Sequence, residues 1–146
     1  YSEYDKSLER LNSRLNSNDS HFKSEQIVAC LLRDILSQDS YRSMMFHSQI
    51  ALNQLVLLER GAFTHRAQLF MRNRGSCDFV VYYKVGKTPL GVIEVDGGYH
   101  LTSVQAERDE LKNSILKKCG LPLLRLRTID SDIEGKLGAF LSGLTG

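Results

Sequence analysis

Ile93-Glu94-Val95-Asp96-Gly97-Gly98-Tyr99-His100 sets two carboxylates two residues apart on an apolar, β-branched run, then a glycine pair and a histidine. The run reads as a strand. Successive side chains of a strand turn to opposite faces, so Glu94 and Asp96 are expected on the same face. Two carboxylates held side by side repel unless positive charge lies between them, and a hard divalent cation is a common counter-ion.

Upstream, Cys77-Asp78-Phe79-Val80-Val81-Tyr82-Tyr83 is rich in β-branched and aromatic residues, and Val85-Gly86-Lys87-Thr88-Pro89 is turn material. With Leu90 to Val95 as the return strand, the segment predicts a hairpin. Folding it about that turn sets Asp78 across from positions 94 to 96, where opposed Cβ atoms lie roughly 4.5–5.5 Å apart. Asp78, Glu94 and Asp96 are then expected to converge at one end of two neighbouring strands. Magnesium or manganese suits such an oxygen-rich set.

Downstream, Thr102 and Gln105 form a capping-box pair that opens a helix over 103–119. Gly120 supplies its C-terminal stop and Pro122 forbids continuation. Val104, Leu111, Ile115 and Cys119 are expected on the apolar face, with Arg108 inside that arc and Gln105 and Lys112 at its edge. Glu107, Asp109, Glu110 and Lys117 are expected to point away. Basic side chains among core-facing positions need partners, because an unpaired buried charge is costly. The hairpin carboxylates, or a phosphate beside them, are the natural ones. Leu121 to Leu126 reads as a short strand. A second capping box, Ser131 and Glu134, then opens a last helix bearing Ile133, Leu137, Phe140, Leu141 and Leu144.

Toward the N-terminus, Tyr4, Leu8, Leu11 and Leu15 mark a short one-sided helix, read as a linker within residues 1–20. The domain proper is expected over 21–146. Its first helix runs from about 21 to 38, with Ile27, Val28, Leu31, Leu32 and Ile35 on one face. Glu25 falls in line with Ala29, Leu32 and Leu36 at the border of that stripe, either reaching water or aimed at something. Residues 44–58 read as strand and 59–76 as a polar, irregular stretch carrying Arg60, Arg66, Arg72 and Arg74. The order is helix, three strands, helix, strand, helix, which makes the fold α/β.

With 146 residues, the chain has the length of one domain. A net charge of +2 does not by itself indicate a nucleic-acid partner, though Lys117, Lys118, Arg125 and Arg127 cluster late. Cys30, Cys77 and Cys119 lack the close spacing of a zinc knuckle and read as reduced thiols of a cytoplasmic protein. Neither a signal peptide nor a run of about 18 apolar residues is evident, so no membrane partner is expected. The chain begins at Tyr1 without a methionine, and is expected to be a piece of a longer protein.

Each signal has an ordinary structural reading. Asp78 could be a turn residue, Glu94 and Asp96 the wet side of an edge strand, and His100 a satisfied structural histidine. The four arginines of 59–76 could be a solvated loop, although a basic loop beside a metal site suits a phosphate backbone. One constellation nevertheless accounts for Asp78, Glu94, Asp96, Arg108 and Lys112 together.

These residues resemble the PD-(D/E)XK nuclease superfamily, and most closely its small bacterial branch similar to very-short-patch-repair endonucleases. The likeness rests on Asp78-Phe79-Val80, Ile93-Glu94-Val95-Asp96-Gly97 with His100, Arg108-Asp109 and Gly120-Leu121-Pro122-Leu123-Leu124-Arg125, and covers some 100 residues. It implies a restriction-endonuclease-like core, αβββαβ, with a mixed central sheet flanked by helices and extra helices at both ends. It also implies magnesium- or manganese-dependent hydrolysis of DNA phosphodiester bonds within a larger protein, with a helicase or ATPase among its other domains. By position, Asp78 and Glu94 resemble the metal-binding acids, and Glu25 the glutamate of the first core helix that binds the metal directly or through water, with Asp96 in support. The motif lysine, two residues beyond Glu94, is here Asp96. Lys112 could substitute for it from the neighbouring helix, or His100 could transfer the proton. Arg108 or Lys112 would steady the transition state, and Arg108, Gln105, Arg72 and Arg74 would contact nucleic acid. The rival reading keeps the fold without the chemistry, as a module that binds nucleic acid or a protein partner.

Overall fold

A computed structural model of the chain describes residues 19–55, 64–73, 75–96, 103–127 and 131–145. Its centre is a four-stranded mixed sheet in the order β1-β2-β3-β4, formed by β1 (Met44–Ala51), β2 (Ser76–Tyr83), β3 (Pro89–Asp96) and β4 (Leu123–Arg127). The first three strands form an antiparallel meander. β4 returns parallel to β3, and the crossover between them is helix α3 (Ser103–Lys118). A parallel neighbour needs such a crossover, whereas the β2–β3 connection is a tight turn with positive φ at Gly86 (80°) and Lys87 (53°).

Both faces of the sheet are covered. On one, α1 (Asp19–Leu36) and α4 (Ile133–Leu144) bring Val28, Leu32, Leu137 and Leu141 onto Met44, Phe79, Val81, Ile93, Val95 and Leu126. On the other, α2 (His65–Asn73) and α3 bring Ala67, Met71, Ile115 and Leu116 onto Val80, Tyr82 and Val92. β3 lies inside the sheet and is buried on both sides, which is why its sequence is an unbroken apolar run up to Glu94. Val92 faces α3, and the two-residue period puts Glu94 on that same face.

The ends of α3 and α4 follow from local chemistry. At α3, Gly120 takes φ 70°, while the Gly120 and Leu121 N–H groups donate to the carbonyls of Lys117 and Leu116 (both 3.0 Å). This paired closure satisfies carbonyls the helix would leave bare, and the positive φ suits glycine. At α4 the cap is Asp132, not the expected Ser131–Glu134 box. Its carboxylate accepts from the Gly135 N–H at 3.1 Å.

Two expectations for the middle of the chain are corrected. β1 ends at Ala51, because Leu52–Leu55 turns into one helical turn that sinks Leu52 into the α2–α3 side of the core. The polar stretch 59–76 contains α2, whose first turn is capped by the Thr64 hydroxyl accepting from the Ala67 N–H (3.1 Å). Residues 1–18, with the linker helix expected there, the strand residues 56–58 and Thr102 lie outside the described residues, while Asp19 and Ser20 already belong to α1. Among the described residues no helix is long and apolar enough to cross a membrane.

Candidate functional site

The β2–β3 ladder closes with Phe79 opposite Ile93. Beyond that pair, side chains take over the bonding between the two strands. The Asp78 N–H donates to Glu94 Oε2 at 2.7 Å, and the Val95 N–H donates to Asp78 Oδ2 at 2.8 Å. Each carboxylate thus occupies a backbone donor of the opposite strand, and the two acids are drawn together where the ladder ends. Glu94 is buried, 3 % exposed, and is the one charged residue among the fully buried of those described.

Burial pushes the Glu94 carboxyl above its ordinary range, and Lys112 opposes that rise. The ammonium of Lys112, itself mostly shielded, lies directly on Glu94 Oε1 in a charge-assisted hydrogen bond. Lys112 comes from the middle of α3, so an acid of the central strand and a base of the crossover helix meet above the sheet. A buried ion pair repays its desolvation only when its hydrogen bonds are also satisfied, and here both Glu94 oxygens are engaged. The buried thiol of Cys77 is pushed up to about 12 by burial first and by Glu94 next. It packs within the α2–α3 side of the core.

Asp96 does not join Asp78 and Glu94. Its carboxylate turns to Arg125 of β4, 3.7 Å away, and burial raises its pKa while Arg125 draws it back. The same guanidinium sits 3.4 Å from the Asp109 carboxylate and donates to Asn113 Oδ1 at 2.7 Å and to the Asp109 carbonyl at 3.4 Å. Asp109 also accepts from Gln105 Nε2 at 3.1 Å. Asp109, expected to point away from the core, therefore faces β4. Val104, expected on the apolar face of α3, is 55 % exposed, and Leu116 takes a fully buried place on that face beside Ile115.

Glu25 lies half-buried on α1, and Gln49 Nε2 donates to its two oxygens at 3.3 and 3.4 Å. Gln49 falls between Ser48, paired with Phe79, and Ile50, paired with Cys77, so it stands opposite Asp78 along β1. Its φ of 53° interrupts the strand there. Glu25 thus reaches the end of the sheet that carries Asp78, through β1. Arg108 is half-buried on α3. Arg66 makes an exposed bridge to Glu107 at 2.9 Å. His100, Arg74 and the side chain of Arg72 lie outside the described residues.

Sequence reasoning missed Asp109, Asn113 and Arg125 as site neighbours. The available signal was the four-residue spacing of Gln105, Asp109 and Asn113, which lines one edge of α3 with polar groups. Among the described residues no group of three or more His, Cys, Asp or Glu side chains is gathered as metal ligands would be.

Residues 23–141 match a family model described as a protein of unknown function, DUF2726. The chain belongs to the DUF2726 family. The matched span runs from α1 to α4 and includes Asp78, Glu94, Asp96, Lys112 and Arg125. No curated protein matches the chain, and no solved structure does.

Proposed function

We propose that this DUF2726 chain is a divalent-metal-dependent nuclease domain that hydrolyses phosphodiester bonds of DNA as part of a larger protein. The observation that carries the reading is the junction of Asp78, Glu94 and Lys112. Two acids are bound to each other's strands, and a lysine is delivered onto one of them from the crossover helix. The order of helix, antiparallel meander, helix and parallel strand supports the reading, with α2 inserted between β1 and β2 beyond the αβββαβ core that the resemblance implies.

The acids suit magnesium or manganese, since both are hard oxygen donors. Magnesium in particular is held by one or two carboxylates together with substrate phosphates. Asp78 and Glu94 would hold it, with Glu25 in support from α1. When bound, the cation lowers the pKa of a water and neutralises charge on the phosphate. Lys112 takes the place of the missing motif lysine. Its fixed ammonium beside Glu94 steadies the charge that builds on the phosphate oxygens, an effect strongest where water is excluded. Asp96 has a different task, since Arg125 occupies it.

The test is incubation of the purified chain with labelled single- and double-stranded DNA in manganese or magnesium, beside Asp78→Asn, Glu94→Gln and Lys112→Met. Metal-dependent cleavage lost in all three variants is the expected result. Cleavage that survives Glu94→Gln, or absence of cleavage with either cation, overturns the reading. A second reading is favoured by one observation: both Glu94 oxygens already have partners within the protein. On that reading the fold binds nucleic acid or a protein partner without cutting, and DNA binding without metal-dependent cleavage would select it.

A further inference from the structure

We propose that Arg125 is a positioning residue whose clasp on Asp96, Asp109 and Asn113 sets the rotation of α3 that delivers Lys112 to Glu94. The catalytic consequence rests on the nuclease reading above. The clasp itself does not.

β3 and β4 run parallel with Glu94 beside Arg125 and Asp96 beside Arg127. Arg125 therefore rises next to Glu94, one strand further out. From there its two terminal nitrogens divide their work. One lies against the carboxylates of Asp96 and Asp109, at 3.7 and 3.4 Å. The other reaches Asn113 Oδ1 at 2.7 Å and the Asp109 carbonyl at 3.4 Å. A planar fork with several fixed donors can bridge three residues on two elements in a way a single ammonium cannot.

Positions 109, 112 and 113 share one flank of the helix, since residues three and four apart are neighbours there. Fastening Asp109 and Asn113 to β4 therefore fixes the direction in which Lys112 leaves the helix. The tolerance is small. With a helix radius of about 2.3 Å plus an extended lysine, a turn of about 20° sweeps the ammonium by about 3 Å, enough to break its bond to Glu94. Only Ile115 and Leu116 of α3 are fully buried, and both lie toward its C-terminal end, so apolar packing leaves the first half of the helix weakly anchored. Asp96 completes the arrangement by fixing Arg125 to β3, the strand that also carries Glu94.

The experiment is lysine acetylation of the full chain with limiting acetic anhydride, read residue by residue by mass spectrometry. Exposed Lys117 and Lys136 serve as internal references. Lys112 should be protected in the parent protein and released in Glu94→Gln, which sets the scale. Arg125→Met and the milder Asp96→Asn should raise acetylation at Lys112 at least fivefold relative to the references. Arg125→Lys should fall between. Protection of Lys112 unchanged in Asp96→Asn and in folded Arg125→Met overturns the proposal, and Asp96→Asn decides alone if Arg125→Met does not fold. If the parent cleaves DNA, Arg125→Met should lower kcat at least tenfold with KM within twofold. A raised KM at unchanged kcat would instead make Arg125 a substrate contact and overturn the positioning role. If the parent cleaves nothing, the nuclease reading fails while the acetylation result still judges the clasp.

Discussion

Replacing Lys112 by methionine keeps the length of the side chain and removes its charge, leaving Glu94 in place with the wrong partner. Glu94 is 3 % exposed, and its carboxylate cannot recover a water shell without opening the end of the sheet. Removing one member of a buried, hydrogen-bonded ion pair costs about 3–5 kcal/mol. For a domain of this length each kcal/mol lowers Tm by about 3 °C, so a fall of about 10–15 °C is expected near neutral pH. The pH dependence gives the sharper test. Burial already raises the Glu94 pKa from 4.5, against the opposing pull of Lys112, and the variant loses that pull. The folded state then keeps a proton that the unfolded chain has released. Stability therefore falls as pH rises from 4.5 through the raised folded value, and stays at its lower level above it. Thermal unfolding followed by circular dichroism between pH 4.5 and 8.5 should show the smallest deficit at the acid end and the largest at the alkaline end. The double variant Glu94→Gln/Lys112→Met, which has no charge to bury, should regain most of the loss and be nearly flat with pH. An equal deficit at pH 5 and pH 8, or a deficit below about 1 kcal/mol at pH 8, would refute the view that this pair is an obligate buried couple.

The cysteines give an independent check on burial at the site. Cys30 is exposed, Cys119 half-buried and Cys77 buried with its pKa pushed up to about 12. Iodoacetamide at pH 8 should alkylate Cys30 first and Cys119 more slowly, with Cys77 reacting only after unfolding; early labelling of Cys77 would contradict its placement beside Glu94. The packing of α4 on β3 can be tested at Gly91, where an added Cβ would lie 3.0 Å from Phe140 and 3.1 Å from Leu144. Gly91→Ala should cost about 1–3 kcal/mol by denaturant unfolding through overpacking. Gly138→Ala on α4, with nothing within 4 Å of the new Cβ, should be neutral or gain up to about 1 kcal/mol of helix propensity.

What could be read from the sequence, and what could not, divides along a physical line. β2, β3, the turn between them and the stop of α3 were legible, because each is set by residues adjacent in the chain: an apolar run, a glycine at positive φ, a proline beyond it. The pull of the hairpin carboxylates on the basic residues of α3 was legible in kind, since a charge near the core must find its opposite, and Lys112 meets Glu94. α2 was obscured by its arginines, although Thr64 as a cap with Ala67 and Met71 as a buried edge carried the helical spacing. Asp109 shows where the reasoning itself stops. A helical period assigns a residue to the side away from the apolar stripe, and that side is solvent only if no other element stands there. Here β4 emerges beside α3 and brings Arg125, sixteen residues further along the chain, against Asp109. Asp96 illustrates the same limit from the strand. Alternation correctly groups it with Glu94, but once Arg125 stands one strand away, charge and not alternation decides where its carboxylate turns. The two acids that looked equivalent in the motif are therefore separated by their neighbours: Glu94 by a lysine above the sheet, Asp96 by an arginine beside it.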